Sequence, residues 1–135
     1  MKLEIGQKAT RSLKVTQDKI KAYAEITGDY NPLHFDEKFA SKTKFGKLVS
    51  QGGLTSGILN AIVAMDLPGP GTVFLHQDLQ YTAPVHIGDT ITGEVEVYEL
   101  HETKPVTKIK VKVVNQNQKV VLEGTCVCYT MIQEE

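Results

Sequence analysis

The chain of 135 residues has no tryptophan and only two cysteines, Cys126 and Cys128. Two cysteines are too few for a disulfide-stapled scaffold or a Cys-based zinc site. If they lie on a strand they share a face at roughly 6.5 Å by strand rise, which is poor disulfide geometry. They read as small buried thiols. No apolar run approaches the ~20 residues of a membrane span, so no membrane partner is expected. Met1–Gly6 lacks the apolar core and cleavage site of a secretory signal, which makes a cytoplasmic location the expectation. An excess of one charge is missing too, with 15 Lys and Arg against 16 Asp and Glu. Without a basic run or a basic stripe interleaved with aromatics, nucleic acid is not an expected partner. What is present, 41% apolar and 23% charged residues, describes an ordinary globular protein. The length suits a single domain, 1–135, with one core and no staples.

The stretch Ala24–His34 carries the clearest chemical signal. It places the carboxylate of Asp29 and the imidazole of His34 five residues apart, with Gly28 before them and Asn31-Pro32 between them. On a regular helix that spacing turns two side chains roughly 140° apart. Pro32 removes a backbone donor and pushes Asn31 toward extended geometry, which breaks any helix here, while Gly28 admits conformations other residues avoid. The chain can therefore bend until both groups meet at one small target such as a water molecule. Such a pair suits acid–base work, because imidazole titrates near neutrality and a carboxylate can orient it. The same residues also make a good turn for purely local reasons.

Around this stretch the chain alternates between two periods. Ala9–Val15 reads as a short edge strand. Thr16 can cap a helix running to about Thr27, with Ile20, Tyr23, Ala24 and Thr27 on one face. A short helix is possible near Asp36–Ser41, inside a lysine-rich covering segment that extends to residue 50. From Leu54 to Met65 apolar residues fall on nearly every side, which predicts a buried helix. It must end before Leu67-Pro68-Gly69-Pro70-Gly71. Beyond Gly71 the period becomes two, in strands around Val73–Tyr81, Ile91–Val97, Lys108–Val113 and Lys119 to about Ile132. Charges on alternate positions indicate an antiparallel sheet covered on one side. A buried helix followed by long antiparallel strands predicts an α+β domain with the sheet wrapping the helix. Its exposed edges favour pairing between subunits.

Tyr23, the string Thr27-Gly28-Asp29-Tyr30-Asn31-Pro32-Leu33-His34 and Ala40 together resemble the signature of the hydratase 2 family. These are MaoC-like (R)-specific enoyl-CoA hydratases, related to hot-dog-fold dehydratases and thioesterases. The resemblance implies a hot-dog fold, with an antiparallel sheet of about five strands around a central buried helix, and a homodimer. It implies reversible addition of water to a trans-2-enoyl-CoA, giving an (R)-3-hydroxyacyl-CoA. Polyester-precursor supply and fatty-acid metabolism are both open as settings. Coenzyme A is part of the substrate, so no cofactor is expected, and no metal either.

On this reading Asp29 and His34 hold the activated water. Gly52 or Gly53, at the start of the buried helix, offers backbone N–H groups to the thioester oxygen, and Gly52 aligns best with the family's glycine. Asn31 supports the turn. Asn60 is either a satisfied core amide or, with Val63, part of an acyl tunnel. His76, His86 and His101 read as solvated or hydrogen-bonded side chains, and Lys108, Lys110 and Lys112 as a solvated sheet face. One departure stands out, since many relatives carry His before the glycine where this chain has Gln51. The alternatives are a dehydratase acting on acyl carrier protein, an acyl-CoA thioesterase and a non-catalytic acyl-CoA-binding subunit. The thioesterase is disfavoured because Gln51–Met65 contains no carboxylate. The binding subunit is disfavoured because both Asp29 and His34 are kept.

Overall fold

The computed structural model of the protein describes residues 2–131. In chain order the elements are β1 (Lys8–Lys14), α1 (Gln17–Thr27), α2 (Pro32–Phe35), α3 (Glu37–Ser41), α4 (Gly52–Met65), β2 (Thr72–Tyr81), β3 (Thr90–Leu100), β4 (Val106–Val114) and β5 (Val120–Thr130). The strands form one antiparallel sheet in the order β1-β3-β4-β5-β2. The last strand ends at Thr130, and the expected end near Ile132 lies outside the described residues.

Alternation decides which face of the sheet is inside. Ile91, Val95 and Val97 of β3, Ile109, Val111 and Val113 of β4, and Leu122, Cys126 and Cys128 of β5 are all buried. Against them lie Ile58, Leu59, Ile62 and Val63 of α4. The helix comes close to the sheet at Gly93, where an added Cβ would meet the side chains of Ile58 and Ile62 at 3.0 and 3.1 Å. This is the hot-dog arrangement, with the sheet wrapped on one helix.

The outer face is ionic. Lys112 meets Glu94 at 3.7 Å and Lys108 meets Glu99 at 3.1 Å, while Lys110 lies over the Tyr98 ring. The lysine row is thus a solvated, paired surface. Cys126 and Cys128 are free and buried, and burial pushes their thiols from 9.0 up to about 11 and about 12. They stay neutral and unreactive at ordinary pH.

The helix α4 corrects one expectation. It is not buried all round: Asn60 is exposed and Met65 is 60% exposed. A single sheet covers only one side of a helix, and the opposite side carries the small residues Gly53, Ser56, Gly57, Ala61 and Ala64. They make the pattern look apolar without requiring burial. Beyond its C-terminus the Asp66 carboxylate forms a two-pronged contact with Arg11 of β1, at 2.6 and 3.1 Å, which ties the helix end to the sheet. The guanidinium holds the Asp66 carboxyl below its usual range.

Candidate functional site

The helix α1 leads into the candidate site. Its N-cap Thr16 accepts from the Lys19 N–H, and Ile20 and Ala24 bury its inner face. It ends on Gly28 at φ 84°, a left-handed conformation that suits glycine and turns the chain away. Asp29 follows, and one of its carboxylate oxygens, Oδ1, accepts from the Asn31 N–H at 3.3 Å.

At the next step the structure departs from the sequence reading. Pro32 does not simply break a helix; it opens α2 as its first residue, where its missing N–H costs nothing. Asn31 caps this turn, its Oδ1 accepting from the Leu33 N–H at 3.1 Å. His34 rides on α2 and is 7% exposed, whereas the Asp29 side chain is 40% exposed.

The His34 ring is held at one end. Its Nδ1 lies 2.7 Å from the carbonyl oxygen of Val49. A carbonyl can only accept, so Nδ1 carries the proton and donates it. The neutral ring then presents a lone pair at Nε2, and Nε2 stands 3.6 Å from Asp29 Oδ1. That separation is too long for a direct hydrogen bond. Two acceptors this close can both receive from one water beside them, each taking one of its hydrogens. Val49 also donates its N–H to the Leu33 carbonyl at 3.1 Å, so one residue pins both sides of the His34 turn.

Val49 borders a cleft of about 550 Å³, whose walls also include Phe45, Ser50, Gly52, Thr55, Tyr81 and Val85. Neither Asp29 nor His34 is among the residues lining it; His34 is tied to its wall through the Val49 carbonyl. Gly52 and Gly53 differ in surroundings. Gly52 faces the cleft, and a Cβ there would meet the Tyr81 ring at 3.0 Å. Gly53 lies on another groove, with Tyr23 and Asn60, and a Cβ there would overlap the Tyr23 hydroxyl. Among the described residues neither glycine's N–H meets a backbone or side-chain acceptor, as expected in the first turn of a helix. Asn60 is exposed on the Gly53 side rather than being a core amide, and Val63 is packed in the core at 1% exposure. Neither lines the cleft.

Gln51 sits between the two regions. It is 1% exposed, and its Nε2 donates to the Ile20 carbonyl of α1 at 2.9 Å, while its Oε1 has no partner. The anchoring role of Val49 escaped the sequence reading, because it is exerted by a backbone carbonyl that any residue would supply. Thr55, a buried polar residue on the cleft wall, left only the faint signal of a hydroxyl in an apolar helix.

The MaoC like domain family matches residues 2–122. The (R)-specific enoyl-CoA hydratase of Aeromonas caviae is 35% identical over 125 residues, covering 93% of this chain and 93% of that one. The 3-hydroxybutyryl-CoA dehydratase of Methylorubrum extorquens is 42% identical over 98 residues, 73% of this chain and 62% of that one. Among solved structures, the (R)-hydratase from A. caviae involved in PHA biosynthesis superposes with a TM-score of 0.91 at 34% identity, covering 96% of this chain and 98% of that chain. Sheet, helix and relatives thus agree, and the chain belongs to the MaoC-like domain family.

Proposed function

We propose that the protein is an (R)-specific enoyl-CoA hydratase, a hydro-lyase that adds water reversibly to a trans-2-enoyl-CoA. The observation that carries this reading is His34, with its proton committed to Val49 and its Nε2 lone pair 3.6 Å from Asp29 Oδ1. A water bound to both from one side is oriented by two acceptors. As its oxygen attacks the β-carbon, one acceptor takes its proton. Electrons move to the thioester oxygen, where the free N–H of Gly52 and the positive end of α4 oppose the charge. Return of a proton to the α-carbon completes the hydration. Asp29 and His34 share these two transfers, and Asn31 holds the turn that aims them. The chemistry calls for no metal and no cofactor beyond the coenzyme A of the substrate.

The working unit in this proposal is a cytoplasmic homodimer. Among the described residues the sheet has two unpaired edges, β1 and β2, and they differ. The β1 edge carries Lys8, Thr10, Arg11, Ser12 and Lys14, which discourage pairing. The β2 edge exposes Val73 at 45%, Leu75 at 59% and, beside the cleft, Tyr81 at 55%. Pairing β2 with the β2 of a second copy would cover these side chains and enclose the cleft.

The test follows loss of the enoyl-thioester absorbance with crotonyl-CoA and a longer enoyl-CoA, and identifies the product enantiomer. Asp29→Asn and His34→Gln should each lose at least ~100-fold in rate, the scale of a positioned acid or base. Release of free CoA without hydration would replace this reading with a thioesterase. Saturable binding with neither reaction would replace it with a binding subunit. Hydration only of the acyl-carrier-protein thioester would change the carrier.

A further inference from the structure

We propose that His86 is a positioning residue for His34, acting through the backbone of Leu48 and Val49. His86 Nδ1 lies 2.8 Å from the Leu48 carbonyl oxygen, so this ring too donates from Nδ1 to a group that can only accept. The contact falls one residue before the carbonyl that holds His34, and Val49 forms an isolated antiparallel bridge with His86 itself. The Ser50 N–H donates to the Val85 carbonyl at 2.7 Å and closes the same junction. His86 is braced from behind. Its N–H donates to Asp89 Oδ2 at 2.9 Å, and Asp89 Oδ1 accepts from Gln116 Nε2 at 2.9 Å, in the turn between β4 and β5. The path therefore runs from the sheet's hairpin through Asp89 and His86 to the Leu48 carbonyl, one peptide before the Val49 carbonyl that fixes the His34 tautomer.

Apart from these side chains, the end of segment 42–50 is held by two main-chain bonds, from the Val49 N–H to the Leu33 carbonyl at 3.1 Å and from the Ser50 N–H to the Val85 carbonyl at 2.7 Å. Lys42, Lys44, Gly46 and Lys47 are exposed, and Val49 is its one buried apolar side chain. Among the described residues, His34 and His86 are the side chains outside this segment that hydrogen-bond to it. A shift of about an ångström in the Val49 carbonyl would release His34 Nδ1. The neutral ring could then carry its proton on Nε2, presenting a donor where the reaction uses a lone pair. The consequence for rate rests on the reading of His34 as an acid–base group; the consequence for its tautomer does not.

The experiment compares wild type, His86→Ala and His86→Asn by long-range proton–nitrogen NMR of the His34 ring, and by kcat and KM with crotonyl-CoA. Wild-type neutral His34 should be the Nδ1–H tautomer. His86→Ala should give a mixture with Nε2–H, and kcat should fall about tenfold to a hundredfold with a smaller change in KM. His86→Asn, whose amide N–H can reach the Leu48 carbonyl, should restore both. An unchanged His34 tautomer in His86→Ala overturns the proposal, whatever the rate does. Should His86→Ala fail to fold, His86→Asp decides: it matches Asn in size but has no donor when ionised, and identical His34 spectra for Asp and Asn would overturn the proposal. If the wild type hydrates no enoyl thioester, the functional reading fails while the NMR comparison stands.

Discussion

The sheet with α4 and the stretch from Gly28 to Ser50 are built on different terms. In the first, position follows from burial: Leu59, Ile62, Ile91, Val95, Val97, Ile109, Val113 and Leu122 are 0% exposed and lock against one another. In the second, the only buried residues are His34, Ala40, Val49 and Ser50. Short helices there are held by the caps Asn31 and Asp36, and the chain is pinned by Leu33, Val85 and His86. Burial is non-directional and averages over many contacts, so it fixes a scaffold. Hydrogen bonds are directional and few, so they can fix one nitrogen lone pair, and each of them matters singly.

The contrast is sharpest if stability and rate are damaged separately. Leu59→Ala should lower the unfolding free energy by about 3 kcal/mol, within the range for a large side chain removed from a core. The folded fraction should keep its specific activity, as urea denaturation followed by assay would show. Asp29→Asn and His34→Gln should do the reverse, costing at least ~100-fold in rate, or about 2.7 kcal/mol of barrier. Their thermal midpoints should stay close to wild type. A core variant that loses specific activity as steeply as the dyad variants would end the separation of roles.

That division also explains how far the sequence can be read. The strands and α4 are legible because burial imprints a period, two for β3 and β4 and a nearly continuous apolar run for the helix. The same rule misleads where small residues fill a pattern without needing cover, as on the outer side of α4. It misleads again in β2, where a bulge between Phe74 and His76 breaks the alternation, so that Val73 and Leu75 are exposed while Phe74 and Leu79 pack against the core. At the site, Asp29 and His34 are legible as residue types. The helical turn opened by Pro32 is not, because proline suits a helix start as well as a helix break. The anchors Val49 and Leu48 act through carbonyls that no side chain announces.

Within the second region, Asn31→Ala tests whether a single cap carries position. Removing a helix cap costs about 1 kcal/mol. Here the cap supports a four-residue turn with His34 on it, so the rate should fall several-fold while the thermal midpoint drops only slightly. A rate that follows the folded fraction alone would mean that His34 is held by Val49 without help from the turn.

Gln51 lies on the border and should give the smallest effect. Its Nε2 bond to Ile20 is offset by an Oε1 buried without a partner, and an unpaired buried acceptor costs roughly 1–3 kcal/mol against the ~1 kcal/mol of an ordinary hydrogen bond. Ile20 lies mid-helix, where its carbonyl already serves the helix ladder, so losing the amide leaves no new orphan there. Gln51→Leu, similar in size and without polar atoms, should therefore change stability by no more than about 1 kcal/mol, in either direction. A loss above ~2 kcal/mol would show that Oε1 is satisfied in solution, as by an internal water of the kind that bridges buried polar groups. Gln51 would then be a true clamp between α1 and α4, and the polar logic of the second region would reach into the core of the first.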